Sequence, residues 1–203
     1  MKTVEYKNPF DGKQLIDVEK NFLKRSDIQE ALENNDLHYF YDLLITEVCE
    51  DKMDTSSVSY ITHMLYDCGI NIFDYISFVP SYAFCHQSLN YINIPKNVKN
   101  IHSCAFECTE LKEITIPGNV QLIGDSCFYN SSIEMVEIKE GVETIGDYAF
   151  GLCADLKEIY LPSSISDFGV HVFYDTNNPK IYVVGGSYAE DVCVQFGWEY
   201  ETI

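Results

Sequence analysis

Ile101-His-Ser-Cys-Ala-Phe106 and Leu111-Lys-Glu-Ile-Thr-Ile-Pro117 return, little altered, as Ile145-Gly-Asp-Tyr-Ala-Phe150 and Leu156-Lys-Glu-Ile-Tyr-Leu-Pro162. Aligning Ala83-Phe84, Ala105-Phe106, Cys127-Phe128, Ala149-Phe150 and Val172-Phe173 gives steps of 22 residues and a last step of 23. The extra residue is assigned to Gly151-Leu152-Cys153. Val79, Ile101, Ile123, Ile145 and Phe168 open the units in the same register. A strand-like part follows in each, running through Leu111, Ile114 and Ile116 in one unit and Leu156, Ile159 and Leu161 in another.

A unit this short cannot bury its own apolar side, so neighbouring units must stack. Alternation sends Ile114 and Ile116 inward and Thr115 outward. Pro95, Pro117 and Pro162 end the strands, and Gly124 and Gly146 are expected to ease the turn back. At about 4.8 Å per rung, about five rungs form one parallel sheet roughly 20 Å across. Phe106, Phe128 and Phe150 should then form an interior ladder.

The phrase, its period and its Ala-Phe and Ile-Pro landmarks resemble the BspA-like (treponemal-type) leucine-rich repeat, from Val79 to Val184. Residues 181–198 are similar to that family's C-terminal cap: Gly186-Ser187 opens a short helix, Ala189, Val192, Cys193 and Phe196 face inward, and Gly197 stops it. The resemblance implies a solenoid and a protein-binding role. Many such proteins are surface adhesins of bacteria and protists; others are intracellular or belong to mobile elements of gut bacteria.

The first 76 residues resemble no family. Ser26-Asp-Ile-Gln29 reads as a helix start with Ile28, Ala31 and Leu32 as its apolar stripe, interrupted at Asn34-Asn35. A second helix is expected from Asp36 through Val48 and a third from Ser57 to Gly69. The fold class is therefore α+β: a small helical, capping domain at 1–76, leucine-rich repeats at 77–184 and a C-terminal cap at 185–203.

The chain has 203 residues, 46% of them hydrophobic, enough for a core. No apolar run approaches the roughly 20 residues of a membrane span, and the N-terminus has no apolar leader core, so a cytoplasmic location is expected. A net charge of −19, spread along the chain, disfavours direct binding to nucleic acid or anionic lipid and favours a basic protein partner. The eight cysteines are dispersed, with no C-x-x-C pair, and read mainly as small buried hydrophobes.

Phosphate-loop, G-x-S-x-G and H-E-x-x-H patterns are missing, and the five histidines are scattered. No catalytic, metal or cofactor residue is assigned. The better candidates are the outward columns of the strands. One reads Asn93, Thr115, Glu137, Tyr160, Tyr182; the other Tyr91, Glu113, Met135, Glu158, Lys180. Tyr and Met anchor contacts and carboxylates select basic partners, so Tyr91, Glu113, Met135, Glu137, Glu158, Tyr160 and Tyr182 are the candidate partner-binding residues. Lys112, Glu134 and Lys157 alternate in sign down one column, while Glu107/Glu110/Glu113 and Glu134/Glu137/Glu140/Glu143 suggest an acidic ridge, offset in part by local cations. The expected function is a non-enzymatic protein-interaction module. The alternative is an intracellular phage or mobile-element inhibitor whose acidic surface blocks a nucleic-acid-binding protein.

Overall fold

The structure is a computed structural model describing residues 25–34 and 77–203. The chain divides into two units, Met1–Ile76 and Ser77–Ile203. In the first, helix α1 (Ser26–Glu33) buries Ile28 and Ala31, as the apolar stripe requires. Asn34 ends it, donating its backbone N–H to the Glu30 carbonyl at 3.0 Å. Arg25 pairs with Asp27 at 2.6 Å beside its start. The helices expected after Asn34 lie outside the described residues.

In the second unit each strand bonds to its equivalent one rung away. Two parallel sheets form, where the sequence suggests one. The first holds β1 (Phe78–Val79), β2 (Asn100–Ile101), β4 (Leu122–Ile123), β6 (Thr144–Ile145) and β8 (Asp167–Phe168), in that order. The second runs β3 (Glu113–Ile116), β5 (Met135–Ile138), β7 (Glu158–Leu161), β9 (Lys180–Val183) and β10 (Tyr200–Thr202). The expected strand through Ile92 and Ile94 does not form, although both side chains are buried. At the other end β10, from the cap, pairs parallel with β9 and adds a sixth turn to the five expected.

Between the sheets the chain turns through the Ala-Phe phrase. Tyr82, Cys104, Ser126, Tyr148 and His171 form one column of left-handed residues, and His86, Cys108, Asn130, Leu152 and Asp175 a second. This alternation aims three N–H groups per turn at the next rung. Cys104, Phe106 and Cys108 donate to the carbonyls of Asp125, Cys127 and Tyr129 at 2.8–2.9 Å. The turns are thus hydrogen-bonded as a ladder in their own right.

Inside, Phe84, Phe106, Phe128 and Phe150 stack at 5.4, 5.2 and 5.3 Å between ring centres, all fully buried, and Phe173 continues the column at 6.1 Å. The interior ladder is present as expected. A polar column lies beside it. Thr109 donates to the Phe106 carbonyl at 2.9 Å, Ser131 lies 3.5 Å from the Cys153 sulfur, and that thiol donates to the Phe128 carbonyl at 3.0 Å. Cys153 therefore keeps register with Ser131, and the extra residue falls after it, in Ala154-Asp155.

Gly124 and Gly146 have a different task from the one expected of them. Neither has a positive φ. A Cβ on Gly146 would stand 2.6 Å from the Asp125 nitrogen and 2.7 Å from the Gly124 carbonyl carbon. The side chain is absent so that backbones can close together. The neighbouring carboxylates tie the same seam: Asp125 accepts from the Asp147 N–H at 2.9 Å and Asp147 from the Val170 N–H at 2.8 Å.

The cap follows a capping box. Helix α2 (Tyr188–Phe196) starts at Ser187, whose hydroxyl accepts from the Glu190 N–H at 3.3 Å while Glu190 accepts from the Gly186 N–H at 2.6 Å. Gly197, at φ 70°, stops it. Ala189, Val192 and Cys193 face inward, but Phe196 does not: it is 51% exposed and stacks on Trp198 at 5.1 Å.

Candidate functional site

In the second sheet the inward residues are Ile114, Ile116, Val136, Ile138, Ile159, Leu161, Ile181 and Val183, all buried. The intervening side chains must stand on the outer face, and parallel pairing sets them in rows. Glu113 neighbours Met135, Met135 neighbours Glu158, Glu137 neighbours Tyr160 and Tyr160 neighbours Tyr182. A groove of about 630 Å³ crosses this face, lined by Tyr91, Asn93, Glu113, Met135, Glu137 and Tyr160 among others. Five of the seven expected residues thus meet in one depression.

The other two lie next to it. Tyr182 stacks on Tyr160 at 4.5 Å and 9°, which makes a two-ring plate. Glu158 accepts from the Tyr160 hydroxyl at 3.3 Å and lines a shallower 300 Å³ hollow with Lys112, Glu134 and Lys157. Partial desolvation, with Glu158 beside it, holds the Tyr160 phenol above its usual range. Tyr91 is 69% exposed and Met135 39%, a concentration of accessible apolar surface in the groove.

Charge on this face is largely settled locally. Lys139, just past the end of β5, pairs with Glu137 two residues back. Lys112 reaches Glu134 at 3.3 Å and Asp155 at 3.5 Å, and Lys157 also pairs with Glu134. The column of alternating sign is therefore a rung-to-rung ion ladder. Glu140 accepts from the Ser163 and Ser164 N–H groups at 2.7 and 3.1 Å, and Glu110 from the Ser88 hydroxyl at 3.3 Å. Within the expected acidic ridge, Glu134 and Glu137 are the carboxylates offset by local cations. Lys139 was open to detection from sequence, since residues i and i+2 share a strand face.

Lys157 and then Lys112 hold the Glu134 carboxyl below the usual range. A carboxylate pKa depressed by folding adds stability above its unfolded value, about 4.3, and that stability is lost as pH falls through the folded value. Glu134→Gln should therefore flatten the fall in Tm between roughly pH 5 and pH 3. The ladder is exposed, so the difference should be small and should shrink in high salt. An unchanged Tm–pH curve would mean the ladder contributes nothing.

No metal-binding cluster of His, Cys, Asp or Glu occurs among the described residues. Among the described residues Cys127, Cys153 and Cys193 are buried free thiols, Cys104 and Cys108 are free and half-buried, and Cys85 is half-buried. Burial, with Glu107 next to it, pushes the Cys85 thiol up to about 12. Such a thiol is a poor nucleophile at neutral pH. His102 lies edge-on to Phe78 at 5.4 Å, and burial lowers its pKa. His171 packs among Tyr148 and Tyr174, away from it. No helix among the described residues is long and apolar enough to cross a membrane.

Residues 77–186 match six copies of the BspA-type leucine-rich repeat. The chain belongs to the BspA-type leucine-rich repeat family. Repeats of this kind are generally frameworks for protein–protein interaction and are typically non-enzymatic. The structure of the pneumococcal vaccine antigen PcpA is similar, with 25% identity and a TM-score of 0.51 over 55% of this chain and 29% of that one. The chain thus spans under a third of that protein's length. A leucine-rich cell surface protein of Faecalibacterium prausnitzii (21% identity, TM-score 0.31, 53% of this chain and 38% of that one) and a leucine-rich repeat protein of Bacteroides ovatus (23%, 0.31, 56% and 44%) also match. No curated protein matches the sequence.

Proposed function

We propose that this BspA-type repeat protein is a binding module whose outer sheet face, from β3 to β9, docks a protein partner. The observation that supports this reading most is the groove, where Tyr91, Met135 and Tyr160 line one concave surface beside the stacked Tyr160–Tyr182 plate. Tyr160 and Tyr182, held on the paired strands β7 and β9, lose little entropy on binding, which is what an interface anchor needs. The proposal concerns the second unit, Ser77–Ile203, alone.

The test is affinity capture from the native host with wild type and with Tyr160→Ala/Tyr182→Ala. Both tyrosines are only half-buried on the outer face, so the variant should keep its far-UV spectrum and nearly its Tm. Loss of a protein captured by wild type is expected. Undiminished capture by the variant would move the binding surface elsewhere.

A further inference from the structure

The groove has a selective end, and it results from a defect in the ladder. On the turn side the first two rungs are tightly joined: Tyr82, Phe84 and His86 donate to the carbonyls of Ser103, Ala105 and Glu107 at 2.8–3.1 Å. On the sheet side they are not, because β3 is the edge strand and residues 91–94 form no strand beside it. The groove opens at this break, between Tyr91, Ile92 and Asn93 on one side and Glu113, Ile114 and Thr115 on the other.

Its chemistry is one-sided. The nearby lysines are engaged: Lys112 with Glu134 and Asp155, Lys139 with Glu137, Lys157 with Glu134. Glu113 is left without an ion-pair partner among the described residues, at the exposed lip of the groove. Tyr160, two strands away on β7, lines the same groove. Tyr182 covers one face of that ring, so the opposite face turns toward Glu137, its neighbour on β5, and into the groove. A free carboxylate, a free aromatic face and an edge strand converge within one depression.

We propose that this groove takes an extended, arginine-bearing segment of the partner protein, with the guanidinium lying on the open face of Tyr160 and hydrogen-bonded by Glu113. The proposal rests on the sheet-face reading above and names the chemistry of its partner. Arginine suits the site better than lysine because its planar group can stack on a ring while its edge donates to a carboxylate. Whole-body charge of −19 would bring any cationic chain near, but only this geometry separates the two cations.

Fluorescence anisotropy with three labelled peptides of one length tests it: alternating arginine–serine, lysine–serine and citrulline–serine. The arginine peptide should bind about threefold or more tightly than the lysine peptide, and the citrulline peptide should not bind. Glu113→Gln and Tyr160→Leu should each weaken arginine-peptide binding about fivefold or more, while Asp191→Asn, an equal charge change on exposed α2, should alter it less than about twofold. Equal binding of arginine and lysine peptides, or equal losses in Glu113→Gln and Asp191→Asn, would reduce the effect to general attraction and overturn the proposal. If captured partner still depends on Tyr160 and Tyr182 while the arginine peptide ignores both groove variants, the arginine assignment falls and the sheet-face reading stands. If capture ignores the tyrosines, the sheet-face reading fails first.

Discussion

Phe128→Ala is expected to lower the unfolding free energy by about 3–5 kcal/mol, the range for emptying a buried phenylalanine site. The ring is fully buried and stacks on both Phe106 and Phe150, so truncation leaves a void that two neighbouring rungs share. Neither can move in to fill it. The backbone N–H of Phe106 is tied to the Cys127 carbonyl and that of Phe128 to the Ala149 carbonyl, each at 2.8 Å. Urea unfolding followed by circular dichroism measures the change; Tyr91→Ala, at an exposed position, should stay within about 0.5 kcal/mol. A loss under about 1 kcal/mol for Phe128→Ala would mean that the rungs collapse freely, contrary to a hydrogen-bonded turn ladder.

Gly146→Ala should cost about 2–3 kcal/mol, the upper part of the range for forcing an extra methyl into packed surroundings. The added carbon meets backbone at 2.6 and 2.7 Å, and backbone cannot rotate aside as a side-chain tip can. Relief requires the third and fourth rungs to part, which stretches the Gly146 N–H bond to the Ile123 carbonyl, now 2.8 Å, and the bond between Asp147 and Asp125. Gly185→Ala is the control: the nearest atom to its Cβ is a Thr202 methyl at 3.9 Å, and the change should be within about 0.5 kcal/mol. Equal effects at the two positions would refute close approach as the reason for glycine at 146.

The parts of this fold that alternate were legible. Glu113–Ile116 reads exposed, buried, exposed, buried, and four residues suffice to show a period of two. The first sheet was missed because each of its strands is two residues long, too short for an alternation to be detected. The left-handed columns were missed because Tyr, Cys, Ser, His and Leu fill most of their positions, and only Asn130 and Asp175 there carry a strong turn signal. Phe196 follows the helical period of Ala189 and Val192, yet it is the last residue of α2, where the turn at Gly197 lets it stack on Trp198 instead. The rows of the candidate face followed directly from the repeat. The groove did not, since the first rung carries Leu89, Ile92 and Ile94 like every other unit and still fails to pair with β3.

The two left-handed columns have a consequence for how such a protein changes length. Each non-glycine residue in that conformation costs roughly 1–2 kcal/mol, so a lone turn is uphill by a few kcal/mol before any contact forms. The N–H groups those residues aim outward find acceptors only on another turn, as Ser126 and Asn130 do on Asp147 and Gly151 at 2.7 and 2.9 Å. The smallest unit that repays its own conformation is therefore a pair of turns. Duplication or excision of 22 or 23 residues, cut anywhere in the period, restores every such bond, whereas any other length strands a donor. Gene-level shuffling within this array is thus constrained to whole turns, and each added turn lengthens the outer sheet face by one row of side chains.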